Sequence, residues 1–141
     1  MRLYLDSNVL ISYLRSEIDK AFNLRFQSSE KFFIACKALG IELIISKLFF
    51  DEIKKKIFLE EKDIKEAFKE RGINTVFMGS TEKEKILKIM KETEIHFADA
   101  THIANAIEYN CECIITWNKK DFEKAEKIIP CKTPEEFIQG F

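Results

Sequence analysis

Four acidic residues, far apart in the chain, could do chemistry together. Asp6 stands at the end of a short apolar run in "RLYLDSNVLISYL". Glu52 lies in "SKLFFDEI", Asp99 in "ADATHIANAIEY" and Asp121 in "ITWNKKDF". Each has an ordinary reading. Asp6 could cap the helix that follows it, as could Ser7 next door. Glu52 could pair with Lys56 at i, i+4 for about 0.3–0.5 kcal/mol, with Asp51 as a rival for its place. Asp99 could be a first-turn acid favoured by the helix dipole. Thr116, Asn118 and Asp121 could form a turn. Taken jointly, the acids need a further explanation. Two carboxylates about 5 Å apart repel by roughly 3 kcal/mol at an effective dielectric near 20, so several gathered together destabilise a fold. A divalent cation removes that cost. Oxygen ligands suit Mg²⁺ or Mn²⁺. Cys36, Cys111, Cys113 and Cys131 lack the paired spacing of a zinc site and read as reduced thiols.

The elements that must position these acids follow from periodicity. Leu3 to Leu5 reads as a first strand and Val9 to Leu14 as a short helix. Two helical pieces are expected from Ser16 to Leu39, broken near "QSSE", where Ser28 or Ser29 would cap the second. Gly40 fits a helix stop. "IELIIS" is a second strand, and a helix runs from Lys47 to about Phe58 with Phe49, Ile53 and Ile57 in line. Asp63 to Arg71 is helical. "INTVFM" is a third strand. Thr81 and Glu84 are expected to form a capping box for the helix carrying Ile86 and Ile89. "FADATHIANAIEY" is a helix with a stripe of Ala100, Ile103, Ala104 and Ile107. "CIIT" is a fourth strand, Lys119 to Lys127 a loop and short helix, and Ile128–Ile129 a short fifth strand. Short apolar strands alternating with helices imply a parallel sheet covered on both faces. The fold expected is a three-layer α/β/α sandwich around a parallel sheet of four to five strands, one domain over residues 1–141. Ligands bind such sheets at the carboxyl ends of the strands, where Asp6 sits.

Composition sets the outer bounds. The chain has 141 residues, 46% of them hydrophobic and thirteen of them Phe, which is ample for one core. The net charge of -1 leaves any phosphate binding to local patches. No apolar run is long enough to span a bilayer, and the N-terminus does not read as a secretory signal. A cytoplasmic protein is expected. A carboxylate-held Mg²⁺ acts naturally on phosphate esters, which points to phosphodiester hydrolysis. Asp6, Asp99 and Asp121 would hold metal, Glu52 would bind it directly or through water or help activate the nucleophile, and Ser7, Asn8, Thr116 and Asn118 would support waters or phosphate oxygens. Lys54, Lys55, Lys56, Lys119 and Lys120 offer positive charge for a polyanion. His102 reads as a buried, hydrogen-bonded histidine that orients Asp99, and His96 as a surface or capping residue. Trp117 reads as a core aromatic more readily than as a stacking platform for a base.

These four stretches, in this order, resemble the signature of the PIN-domain ribonucleases. The resemblance runs from Leu3 to Phe122. It implies a parallel-sheet α/β/α fold, Mg²⁺- or Mn²⁺-dependent cleavage of RNA, and an acid set of Asp6, Glu52, Asp99 and Asp121. Many members have the last acid two residues after the Thr. That position is Asn118 here, and Asp121 lies three further on. Members of this size in the VapC-like group are toxins of toxin–antitoxin pairs, often homodimeric, each inhibited by a small antitoxin protein. Others are RNA-processing nucleases. Two rival readings stand beside the nuclease: a non-catalytic RNA- or protein-binding module, and a phosphotransfer receiver with Asp6 as phosphate acceptor.

Overall fold

The computed structural model describes residues 1–16, 24–79 and 81–140. Five parallel strands form its sheet: β1 (Arg2–Leu5), β2 (Glu42–Ser46), β3 (Asn74–Met78), β4 (Cys113–Ile115) and β5 (Cys131–Lys132). Their spatial order is β3-β2-β1-β4-β5. The chain builds outward from β1 through β2 to β3. It then returns to lay β4 on the other side of β1. The order therefore reverses between β1 and β4, and the crevice at their carboxyl ends is the natural ligand site of such a sheet.

Successive strand residues point to opposite faces, and both faces here are apolar. Leu3, Leu5, Leu43, Ile45, Cys113 and Ile115 face one layer. That layer contains α1 (Ser7–Leu14), α2 (Arg25–Leu39), α3 (Lys47–Ile57), α4 (Glu61–Glu70) and α7 (Pro134–Gln139). Its filling is aromatic: Phe32 meets Phe137 edge to face at 5.5 Å and Phe33 in a tilted pair at 5.6 Å. Tyr4, Ile44 and Ile114 face the other layer, which contains α5 (Lys83–Thr93), α6 (Phe97–Glu108) and a 3₁₀ helix at Lys119–Ala125. Ala100, Ala104 and Ala106 are buried on α6, so small side chains let this helix lie close to the sheet. The expected α/β/α sandwich with a parallel sheet is what forms. Among the described residues no helix is long and apolar enough to cross a membrane.

Three local expectations are corrected. Helix α2 runs unbroken through "QSSE". Ser29 is fully buried there, and its hydroxyl meets Ser12 Oγ at 2.8 Å and the Trp117 indole N–H at 3.1 Å, so it is spent on tertiary contacts and not on a cap. The start of the preceding helical piece falls on residues 17–23, outside the described residues. Helix α5 has Glu82 at its N-cap, without a side-chain capping bond, and the Thr81 hydroxyl instead donates to Asn105 Oδ1. The fifth strand is Cys131–Lys132, not Ile128–Ile129. The amides of Ile128 and Ile129 both donate to Ala125 O, at 2.8 and 3.0 Å, closing a helical turn, so pairing with β4 begins only after Pro130.

Candidate active site

Asp6 directly follows β1, and its amide donates to Ile115 O at 3.0 Å, carrying the ladder one residue past the strand. It occupies the N-cap position of α1 yet makes no side-chain capping bond. The capping explanation for this acid therefore fails. Its carboxylate is held from the β4 side instead. Thr116 Oγ1 donates to Asp6 Oδ2 at 2.8 Å, and Asn8 Nδ2 reaches the same oxygen at 3.3 Å and Thr116 Oγ1 at 3.0 Å. Asn8 Oδ1 accepts from the Trp117 amide at 3.0 Å, and the Trp117 indole donates to Ser12 Oγ at 3.0 Å. Trp117 thus anchors the segment after β4 to α1, as a core aromatic would. Asp6 Oδ1 has the Ser7 hydroxyl only at 3.5 Å, at the limit of a hydrogen bond.

Glu52 comes from α3, whose start is fixed by Ser46: its Oγ accepts from the Phe49 amide at 3.3 Å. The surface pairing with Lys56 does not form. Glu52 Oε1 lies 3.1 Å from His102 Nε2, and His102 is 2% exposed. The hydrogen bond of His102 is thus to Glu52 and not to Asp99, the imidazole reaching across to α3 instead of along its own helix. The rival Asp51 is exposed and lines a different groove with Lys47, Thr81 and Phe97. Ligating atoms of Asp6, Glu52 and His102 all lie within 4.8 Å of one another.

Asp99, half-buried in the first turn of α6, and the exposed Asp121 line one open groove with His96, Lys120 and Lys124. The 3₁₀ repeat of three residues stacks Asp121 over the position of Asn118, and the Asp121 amide donates to Asn118 O at 3.0 Å. Asn118 is exposed, its own amide donating to Thr116 Oγ1 at 3.0 Å. His96 sits at the N-cap of α6 without a side-chain capping bond.

The electrostatics join the two halves of the site. Burial, then Glu52, pushes the Asp6 carboxyl above its usual range, against the opposing pull of His102, Thr116 and the Asn8 amide. Burial, then Asp121, does the same to Asp99, with Asp6 and Glu52 adding to it. Burial opposes a charge on His102, but Tyr4, Glu52 and Asp6 outweigh it and lift the imidazole well above its usual range. Asp99 thus senses the other three carboxylates, and among the described residues neither Asp6 nor Glu52 pairs with Lys or Arg. The donors are carboxylate and hydroxyl oxygens, the chemistry that suits a hard divalent cation. Asp6, Glu52, Asp99 and Asp121 could hold one. His102 is less available, since its Nδ1 is also engaged, 2.6 Å from the Tyr4 hydroxyl.

The basic residues divide. Lys54, Lys55 and Lys56 are exposed on the last turns of α3, with Lys54 3.4 Å from Glu60. Lys119 pairs with Glu136 at 2.9 Å, whereas Lys120 lines the Asp99–Asp121 groove. Lys124 in that groove went unrecognised in the sequence, as did Tyr4. The alternation of β1 could have found Tyr4, because residues 4 and 6 share one face.

A buried Asp6 beside Glu52, next to an open groove holding Asp99 and Asp121, thus stands where the strand order reverses. A family model described as PIN domain matches residues 3–128, so the chain belongs to the PIN domain family. Among solved structures, a chain of a "Toxin-antitoxin complex from Klebsiella pneumoniae" is similar, with a TM-score of 0.63 and 20% identity, over 95% of this chain and 98% of that one. No curated protein matches this chain in sequence.

Proposed function

We propose that the chain is a Mg²⁺- or Mn²⁺-dependent ribonuclease that hydrolyses RNA phosphodiester bonds. The observation that carries this reading is the buried Asp6 carboxylate within 4.8 Å of a Glu52 oxygen, with no Lys or Arg paired to either among the described residues. Asp6, Glu52, Asp99 and Asp121 would hold the cation. When bound, the ion would polarise a phosphoryl oxygen and make water a stronger nucleophile. Thr116 and Asn8 fix the Asp6 carboxylate, leaving Oδ1 for ligation. The exposed Asn118 would offer a hydrogen-bonding group to phosphate oxygens or water, and the buried Ser7 would act through Asp6 Oδ1. Lys120 would meet the backbone phosphates that lead into the groove, and the exposed Lys54, Lys55 and Lys56 would extend the track. Lys119 is committed to Glu136 and would have to exchange partners first.

Membership of the PIN domain family and likeness to a chain of a toxin–antitoxin complex support a toxin held by a small antitoxin protein. On this reading it acts in the cytoplasm as a homodimer. The test is cleavage of single-stranded and structured RNA after chelator stripping, with Mg²⁺ or Mn²⁺ restored. Activity should return only with metal. Asp6→Asn should lower the rate by two or more orders of magnitude, about 2.7 kcal/mol or more of lost transition-state stabilisation. RNA binding without metal-dependent cleavage would favour the non-catalytic module instead.

A further inference from the structure

Four polar side chains are buried beneath Glu52, in the layer between the sheet and α6: Tyr4 and Ser46 at 0% exposure, and His102 and Asn105 at 2%. Burying such groups is costly unless each finds a partner, and a fully satisfied set fixes one geometry. Here every member is joined. Tyr4 OH lies 2.8 Å from Ser46 Oγ and 2.6 Å from His102 Nδ1, and Asn105 Nδ2 donates to it at 3.4 Å. His102 Nε2 lies 3.1 Å from Glu52 Oε1.

Donor counting gives the set a direction where it meets Glu52. Ser46 Oγ accepts from the Phe49 amide and is also joined to the Tyr4 hydroxyl. Tyr4 OH accepts from Asn105 Nδ2 and joins Ser46 Oγ to His102 Nδ1. A carboxylate can only accept, so His102 Nε2 presents its N–H to Glu52. The series begins and ends on α3: Ser46 caps the helix whose second turn carries Glu52. The Tyr4 and His102 rings also meet edge to face, with centroids 5.4 Å apart, which restricts rotation of the imidazole.

We propose that Tyr4 and His102 are positioning residues that hold the Glu52 carboxylate in the orientation needed to take a divalent cation. This rests on the metal-dependent reading of the site. Outer-shell partners of this kind are worth about 10–100-fold in metal affinity. Tyr4→Phe removes one hydroxyl and keeps the ring. It should weaken Mn²⁺ binding about tenfold by calorimetry on the full chain, with circular dichroism unchanged. His102→Leu should weaken it at least as much. His102→Gln, which restores an N–H donor, should recover most of the loss. The KM for RNA should change little in all three.

A filler role in the core predicts another pattern: a lower Tm with Mn²⁺ affinity intact, and no rescue by Gln over Leu. Wild-type Mn²⁺ affinity in both Tyr4→Phe and His102→Leu would overturn the proposal while leaving the nuclease reading in place. Failure of the wild-type protein itself to bind Mn²⁺ would overturn both.

Discussion

At the scale of single residues, the site is a cluster of groups that resist being charged together. The folded pKa of Asp6 lies above its usual 3.8, through burial first and Glu52 next. The folded state therefore holds this proton more tightly than the unfolded chain does, and stability falls as pH rises from about 4 through the folded pKa. His102 acts with the same sign in a higher window, from its usual 6.5 upward. The urea midpoint of the metal-free protein should accordingly decline with rising pH, and Asp6→Asn should flatten the lower part of that decline. At neutral pH the same variant should be at least as stable as wild type without metal, and less stable once Mn²⁺ is present, because ligand bound only by the folded state adds about 2.7 kcal/mol at a hundred times Kd. Asp6 was legible in the sequence because a carboxylate at the end of an apolar strand stands out. The partner of His102 was not. Its spacing from Asp99 suggests a neighbour on the same helix, whereas the contact made is with Glu52, fifty positions away.

At the scale of elements, short caps and turns decide how the layers pack. Helix α7 begins with a complete capping box: Thr133 Oγ1 accepts from the Glu136 amide at 3.1 Å, and Glu136 Oε1 accepts from the Thr133 amide at 3.2 Å. It carries Phe137 onto Phe32. Thr133→Ala should cost about 1 kcal/mol, with Thr133→Ser restoring most of it, read as the denaturant midpoint. Phe32→Ala, at the centre of the aromatic layer, should cost about 3–5 kcal/mol by the same measurement. The long strands were legible as apolar runs between helices. β5 was not, because two residues carry no periodicity and the Ile128–Ile129 pair offered a stronger apolar signal. Ser29 misled for a similar reason: serine before a helical stretch reads as a cap, and only the fold reveals Ser12 and Trp117 waiting for its hydroxyl.

At the scale of the whole molecule, the fold brings Asp6 beside Glu52 and Asp99 beside Asp121, while the net charge of -1 gives no long-range pull on RNA. On the proposed reading, attraction would come from the local lysines beside the groove. With about three phosphate contacts to a single strand, the log of RNA affinity should fall against log salt with a slope near -2. Lys120→Ala and Lys124→Ala together should make that slope shallower. The alternation of strands and helices made the architecture legible, and with it the crevice. The pairing of particular side chains across layers was beyond reach, since it depends on rotamers and on contacts between α3 and α6 that no local pattern encodes. The central claim is that these acids meet because a divalent ion binds among them. Anomalous diffraction at the manganese edge, from crystals grown with MnCl₂, tests it most directly. The account predicts a peak within ligating distance of the Asp6 and Glu52 carboxylates, lost in Asp6→Asn. Ordered manganese elsewhere on the protein, with this crevice holding none, would contradict it.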